Sequence, residues 1–170
     1  MIMLAEALPL RKTIEKRIQE LKSERHENAT VTIKQGEDFK NYITKTVDEL
    51  TLELDGLQAD YITLNSLITT ANLSNQIETE QGNMFLLDAI EFAKATRSES
   101  VWFKKFGTTK KIERDTYNKN SDLITVATFD IEYYRTKAVE LERLANKVSA
   151  LIEQKNHTIE IEFDASKYLG

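Results

Sequence analysis

A single periodicity constrains this chain more than anything else in it. From Ile43 to Ala71 the residues Ile43, Val47, Leu50, Leu54, Leu57, Tyr61, Leu64, Ile68 and Ala71 follow an unbroken 4,3 spacing, which only a helix places on one side. At 1.5 Å per residue such a rod is about 40 Å long, so other helices must lie along its apolar seam. A second seam answers it near the C-terminus, where Ile131, Tyr134, Ala138, Leu141, Ala145, Val148 and Ile152 repeat the pattern. The fold class that follows is mainly α: an antiparallel helical bundle of long heptad-like helices with a small β-hairpin or sheet. With 170 residues, one proline and five glycines, the chain carries no Ser-, Gly- or Pro-rich linker, and residues 1–170 are expected to form one domain.

Composition narrows the function classes. The absence of cysteine removes disulfides, thiolate metal sites and thiol nucleophiles, and it suits a reducing compartment, so the cytoplasm is expected. The opening MIMLAEALPL is apolar, but Glu6 interrupts it and no basic region precedes it, which argues against a secretory signal. No apolar run approaches the ~18 residues that span a bilayer, so no membrane partner is expected. A formal charge of -5 argues against general nucleic-acid binding, which needs a basic surface.

Taken in order, the first helix is expected from about Pro9 to Ser23, with Leu10, Ile14, Ile18 and Leu21 inward. Pro9 either occupies its first turn or, if Leu4 to Leu8 are helical too, kinks it. Val31 and Ile33 alternate with polar neighbours as in a short strand before Gly36. The long helix is expected to start near Asp38 as N-cap, with Asp48, Glu49, Glu53, Asp55 and Asp60 on a solvated outer face. Gly56 stands inside it at a cost of ~1 kcal/mol relative to alanine. A polar connection from Asn72 to Gly82 leads to a shorter helix over about Met84 to Thr96, whose apolar residues extend beyond one face. With the two seams, that breadth predicts a homo-oligomer. The last helix is expected from Thr128 to Lys155. A strand from His157 to Phe163 follows it, for which the stretch Val31 to Lys34 is one available partner, and beyond Asp164 a loose tail docks only through Tyr168 and Leu169.

The segment from Arg97 to Arg114, RSESVWFKKFGTTKKIER, differs from the rest. Six cations face two anions, giving +4 in an acidic chain, and the only tryptophan lies here. Read as two strands around Gly107, continued by a returning strand at Leu123 to Val126, it forms a basic, aromatic hairpin over about residues 97–127. Aromatic faces stack on bases and cations neutralise phosphate, so Arg97, Trp102, Phe103, Lys104, Lys105, Lys110, Lys111 and Arg114 are the candidate ligand-binding residues for a small anionic, nucleotide-like ligand. The plainer alternative packs the aromatics on the helices and keeps lysines at a strand edge for solubility.

LAEALPLRKTIEKRIQEL at the start, LNSLITTANLSNQIETEQG in the middle, and the closing helix ending in Ile152 and Asn156 resemble the septicolysin-like family of small helical bacterial proteins. The resemblance covers most of the chain. It implies long helices with a short β element, gives Leu4, Ala5, Glu6, Leu8 and Asn156 structural roles, and brings a membrane-active, cytolysin-like alternative through the family's name. This chain departs from the family in having His157 after Asn156, where a tryptophan is usual, and in its longer basic segment.

No nucleophile motif accompanies His26 or His157. No metalloprotease helix, EF-hand loop or phosphate-binding glycine motif occurs. The reading is therefore a non-catalytic, oligomeric binding protein without cofactor or metal, sequestering a small phosphate-bearing ligand between its basic hairpin and a neighbouring helix or subunit. Its alternatives are an architectural self-assembling helical protein and the membrane-active protein.

Overall fold

The computed structural model describes residues 1–114 and 123–168. The fold is mainly α, with four long helices and three two-stranded antiparallel sheets among the described residues. The turn expected over 115–122 and the docking of Leu169 lie outside the described residues. The chain divides into two compact units, one comprising residues 1–73 and 156–170, the other residues 74–155.

The first unit holds β1 (Ile2–Met3), α1 (Leu4–Glu27), α2 (Val47–Ser74) and β6 (Glu160–Ile161). Its helix α1 starts earlier than Pro9. Leu4 N–H donates to the Ile159 carbonyl at 2.8 Å, the Glu6 carboxylate accepts from Met3 N–H at 2.8 Å, and the helix runs through Pro9. The short strand expected at Val31 is not formed, since residues 31–34 are irregular, and the C-terminal strand β6 takes β1 as its partner, Ile2 opposite Ile161. A two-residue strand at the very start leaves too short a pattern to read in sequence.

Helices α1 and α2 run antiparallel. Arg11 reaches Asn65 (2.9 Å), Arg17 reaches Glu53 (3.3 Å) and Arg25 reaches Thr51 (3.4 Å), so partners descend in α2 as α1 ascends. Their buried positions are large aliphatics: Ile14, Ile18 and Leu21 on α1, and Leu50, Leu54, Leu64 and Ile68 on α2. The start of α2 is a second correction. Asp38 caps only a 3₁₀ turn at Phe39–Asn41, whereas Thr46 caps α2, accepting from Glu49 N–H while the Glu49 carboxylate accepts from Thr46 N–H at 2.8 Å. This is the reciprocal Thr-x-x-Glu box. Those bonds from Thr46 hold the Glu49 carboxyl below its usual range.

The second unit holds β2 (Gln76–Thr79), β3 (Gly82–Phe85), α3 (Leu86–Gly107), β4 (Ile112–Arg114), β5 (Ile124–Val126) and α4 (Ile131–Asn156, whose last residue falls to the first unit). The expected polar connection is partly a β-hairpin, closed at Gly82 with φ 106°, a left-handed conformation that favours glycine. Helix α3 is longer than expected and absorbs the first half of the supposed basic hairpin. Leu86 is buried at its start, and Ala89, Ala93, Thr96, Ser100 and Gly107 continue the inward spacing through residues too small or too polar to register as an apolar stripe. Ser100 donates to the Ala138 carbonyl of α4 at 2.9 Å, which satisfies a buried hydroxyl. Gly107 lies so close to α4 that an added Cβ would stand 2.9 Å from the Arg135 Cα.

Candidate functional site

The basic segment is broken up by the fold. Arg97, Trp102, Phe103, Lys104 and Lys105 are helical on α3, so the alternation of a strand does not apply to them, while Arg114 lies on β4 with Lys110 and Lys111 just before it. Only β4 and β5 form the hairpin, in register Ile112 to Val126 and Arg114 to Ile124.

The cations disperse among separate partners. Arg97 donates to the Ser149 hydroxyl at 2.9 Å, Lys104 pairs with Glu142 at 2.9 Å, and Lys110 pairs with Glu113 at 2.9 Å. Lys105 stands 4.2 Å from the centre of the half-exposed Trp102 ring, a cation–π contact. Phe103 is structural: it meets Tyr134 edge-on at 4.8 Å, and Phe106, Phe129 and Tyr134 complete the cluster at 5.2 to 5.4 Å. Geometry of this kind adds stability beyond area alone.

One candidate residue does reach a cavity. Lys111 lines a hollow of about 570 Å³ between the foot of the β4–β5 hairpin and the start of α4, with Thr109, Phe129, Asp130, Glu132 and Arg135. Lys111 has no ion-pair partner among the described residues, whereas Arg135 is engaged twice. Its Nε and Nη2 donate to the Gly107 carbonyl at 3.2 and 2.9 Å, and its Nη1 pairs with Glu132. A cation at that carbonyl complements the negative end of α3. Asp130 accepts from Tyr133 N–H at 3.1 Å and so caps α4. The lining therefore combines cationic donors, two carboxylates and one aromatic edge. It suits a ligand that has an anionic group together with hydroxyl or amino groups, and it does not suit a bare polyanion.

Sequence reasoning missed Arg135, Glu132 and Phe129. The one available signal was the cap at Asp130, since the residues one turn beyond a cap surround the helix entrance. Both histidines belong to the first unit, and the cavity belongs to the second. No group of three or more metal-capable side chains gathers among the described residues, and no described helix is long and apolar enough to cross a membrane.

In the first unit the carboxylates expected to be solvated are partly committed. Glu53 takes Arg17 and Lys45, and these bonds, that from Lys45 foremost, hold its carboxyl below the usual carboxylate range. At Asp60 burial favours the neutral acid, but the Lys167 ammonium and the Tyr168 hydroxyl outweigh it and keep the group below its usual value. Burial first and Asp60 second push the Tyr168 phenol up. The tail is thereby fastened, with Phe163 and Ala165 buried beneath it.

No curated protein matches the chain. A solved structure does: the crystal structure of a functionally unknown conserved protein from Corynebacterium diphtheriae, 24% identical, with a TM-score of 0.72 over 95% of this chain and 99% of that one. At that identity the likeness speaks to the fold alone. A family model, described as a family of unknown function, matches residues 11–161, and the chain therefore belongs to that family, DUF6847.

Proposed function

We propose that this chain is a cytoplasmic, non-catalytic, oligomeric binding protein whose second unit holds a small phosphate-bearing, nucleotide-like ligand. The observation that carries the reading is the cavity of about 570 Å³ at the hairpin foot, within the usual size of small-molecule sites, with the uncommitted Lys111 ammonium beside Thr109 and Arg135. Lys111 supplies a charge-assisted bond to phosphate. Asp130 and Glu132 accept from ribose hydroxyls or a base amine, and the exposed edge of Phe129 offers an apolar contact. The ligand lies between hairpin and helix as the charge pattern suggests, but Lys111 replaces the wider basic cluster as its anchor. Binding without turnover makes the role sequestration.

Calorimetry with inorganic phosphate, adenosine and the adenine mono-, di- and triphosphates tests this. Heat is expected from phosphate-bearing nucleotides and none from adenosine, with affinity falling roughly tenfold in Lys111→Ala, the loss of one charge-assisted bond. No heat from any of them, or affinity unchanged in Lys111→Ala, rejects the site.

A further inference from the structure

The outer face of α2 is unlike the rest of this surface. From Gly56 to Ser74 its exposed residues are Gly56, Ala59, Ile62, Thr63, Ser66, Thr69, Thr70, Leu73 and Ser74, without a charge over five turns of a chain that is 30% charged. Two large aliphatics stand out on it, Ile62 at 67% exposure and Leu73 at 54%, and a third, Leu52 at 77%, stands one turn before it, beyond the exposed Asp55. The hydroxyls of Thr63 and Thr69 donate back to the carbonyls of Ala59 and Asn65, at 3.0 and 2.8 Å, and are thus occupied within the helix. Among the described residues nothing stands within 4 Å of a Cβ added at Gly56, so no packing among them explains a glycine in mid-helix.

The face is also symmetric about a point between Ile62 and Thr63. Leu52 and Leu73 are equidistant from that point, as are Gly56 and Thr69, and Ala59 and Ser66. We infer that α2 packs antiparallel against α2 of a second copy of this chain about a two-fold axis through that point. In that register Leu52 meets Leu73 of the second copy, small residues meet small residues and let the helices approach, and Ile62 and Thr63 close the centre. Asp55, the last exposed carboxylate of α2 before the uncharged stretch, falls beside Thr70 of the second copy near each end of the contact, and Asp60 is turned to Lys167 and Tyr168.

Charge selects the occupant. A charged partner surface would lose its hydration here and find no counter-charge, whereas an identical uncharged face loses none. A two-fold contact also requires a self-complementary patch, and the spacing supplies one. Beside Ile62 the uncharged face ends at a groove of about 360 Å³ between α2 and α1, where Ile18 and Tyr61 add apolar area and Glu15 and Lys22 form a charged edge. A strip roughly 30 Å long and about 10 Å wide is small beside the ~800 Å² per partner of a standard interface, so the dimer is weak and depends on concentration. The inference does not depend on the ligand cavity.

Sedimentation equilibrium of the full chain from about 5 µM to about 1 mM reads the association directly. A monomer–dimer equilibrium is expected. Ile62→Glu, at an exposed position, should remain monomeric throughout while its thermal unfolding midpoint stays that of the wild type. Ala59→Lys should weaken the dimer about tenfold, and Ala59→Lys with Ser66→Glu should restore it through two pairs formed between copies, since seven residues separate the positions within one helix. A wild-type monomer at the highest concentration, or a dimer that Ile62→Glu leaves intact, overturns the interface. Failure of the double variant to recover overturns the antiparallel register.

Discussion

The two helix pairs solve the same problem with opposite materials. On α1 and α2 the buried positions are mostly leucine and isoleucine, whereas on α3 and α4 only Leu86 and Val148 are large and the rest are Ala89, Ala93, Thr96, Ser100, Gly107, Ala138 and Ala145. Large aliphatics draw stability from the area they remove from water. Small residues give little area but let backbones come close enough for a serine to bond across and for a glycine to touch a neighbouring backbone, so the contact depends on fit. The first pair should therefore respond to lost volume and the second to added volume.

The largest expected effect is in the first pair. Leu54, 2% exposed, truncated to alanine should lose about 2–5 kcal/mol in urea unfolding through lost transfer energy and a residual cavity. A loss under about 1 kcal/mol would break the contrast, because the site would then be no more sensitive than a surface position.

Adding one methyl group sharpens the comparison in the other direction. Gly107→Ala places a Cβ 2.9 Å from the Arg135 Cα, a backbone atom, and should destabilise by about 1–3 kcal/mol. Gly56→Ala, inside α2 rather than at a helix end and in open space, should stabilise by up to about 1 kcal/mol. Equal signs in the two variants under chemical denaturation would refute the close approach.

The smallest effect concerns the tail of the first unit. Because Asp60 is held below its ordinary value in the folded state, its contribution is complete above the unfolded value near ~3.9 and is lost as pH falls through the lower folded value. Asp60→Asn should remove that part of the acid sensitivity and increase hydrogen exchange around Ser166 and Tyr168, by an amount limited by the partial exposure of the pair. An unchanged exchange pattern would show that Phe163 and Ala165 hold the tail without help.

Much of the architecture was legible because it rests on periodicity. The seam from Val47 to Ala71 and the seam from Ile131 to Ile152 both appear as helices, since repeated burial on one side leaves a mark in the order of residues. The path from Arg97 to Gly107 carries no such mark, because threonine, serine and glycine hold its inward positions while Trp102 and Phe103, adjacent and aromatic, imitate a strand. The candidate site was legible only at Lys111. Its other walls, Glu132 and Arg135, come from a helix that begins after the intervening segment, and no local pattern ties them to the hairpin.

The order of residues determined by itself that long helices would form, where their buried stripes would run, and that positive charge would be concentrated between Arg97 and Arg114, because these are properties of neighbours along the chain. Only the tertiary structure decided that β6 would pair with β1, that the cations would be divided among Ser149, Glu142, Glu113 and Trp102, and that α2 would keep an uncharged face exposed. Those outcomes depend on which distant groups meet, and distance along the chain carries almost no information about that.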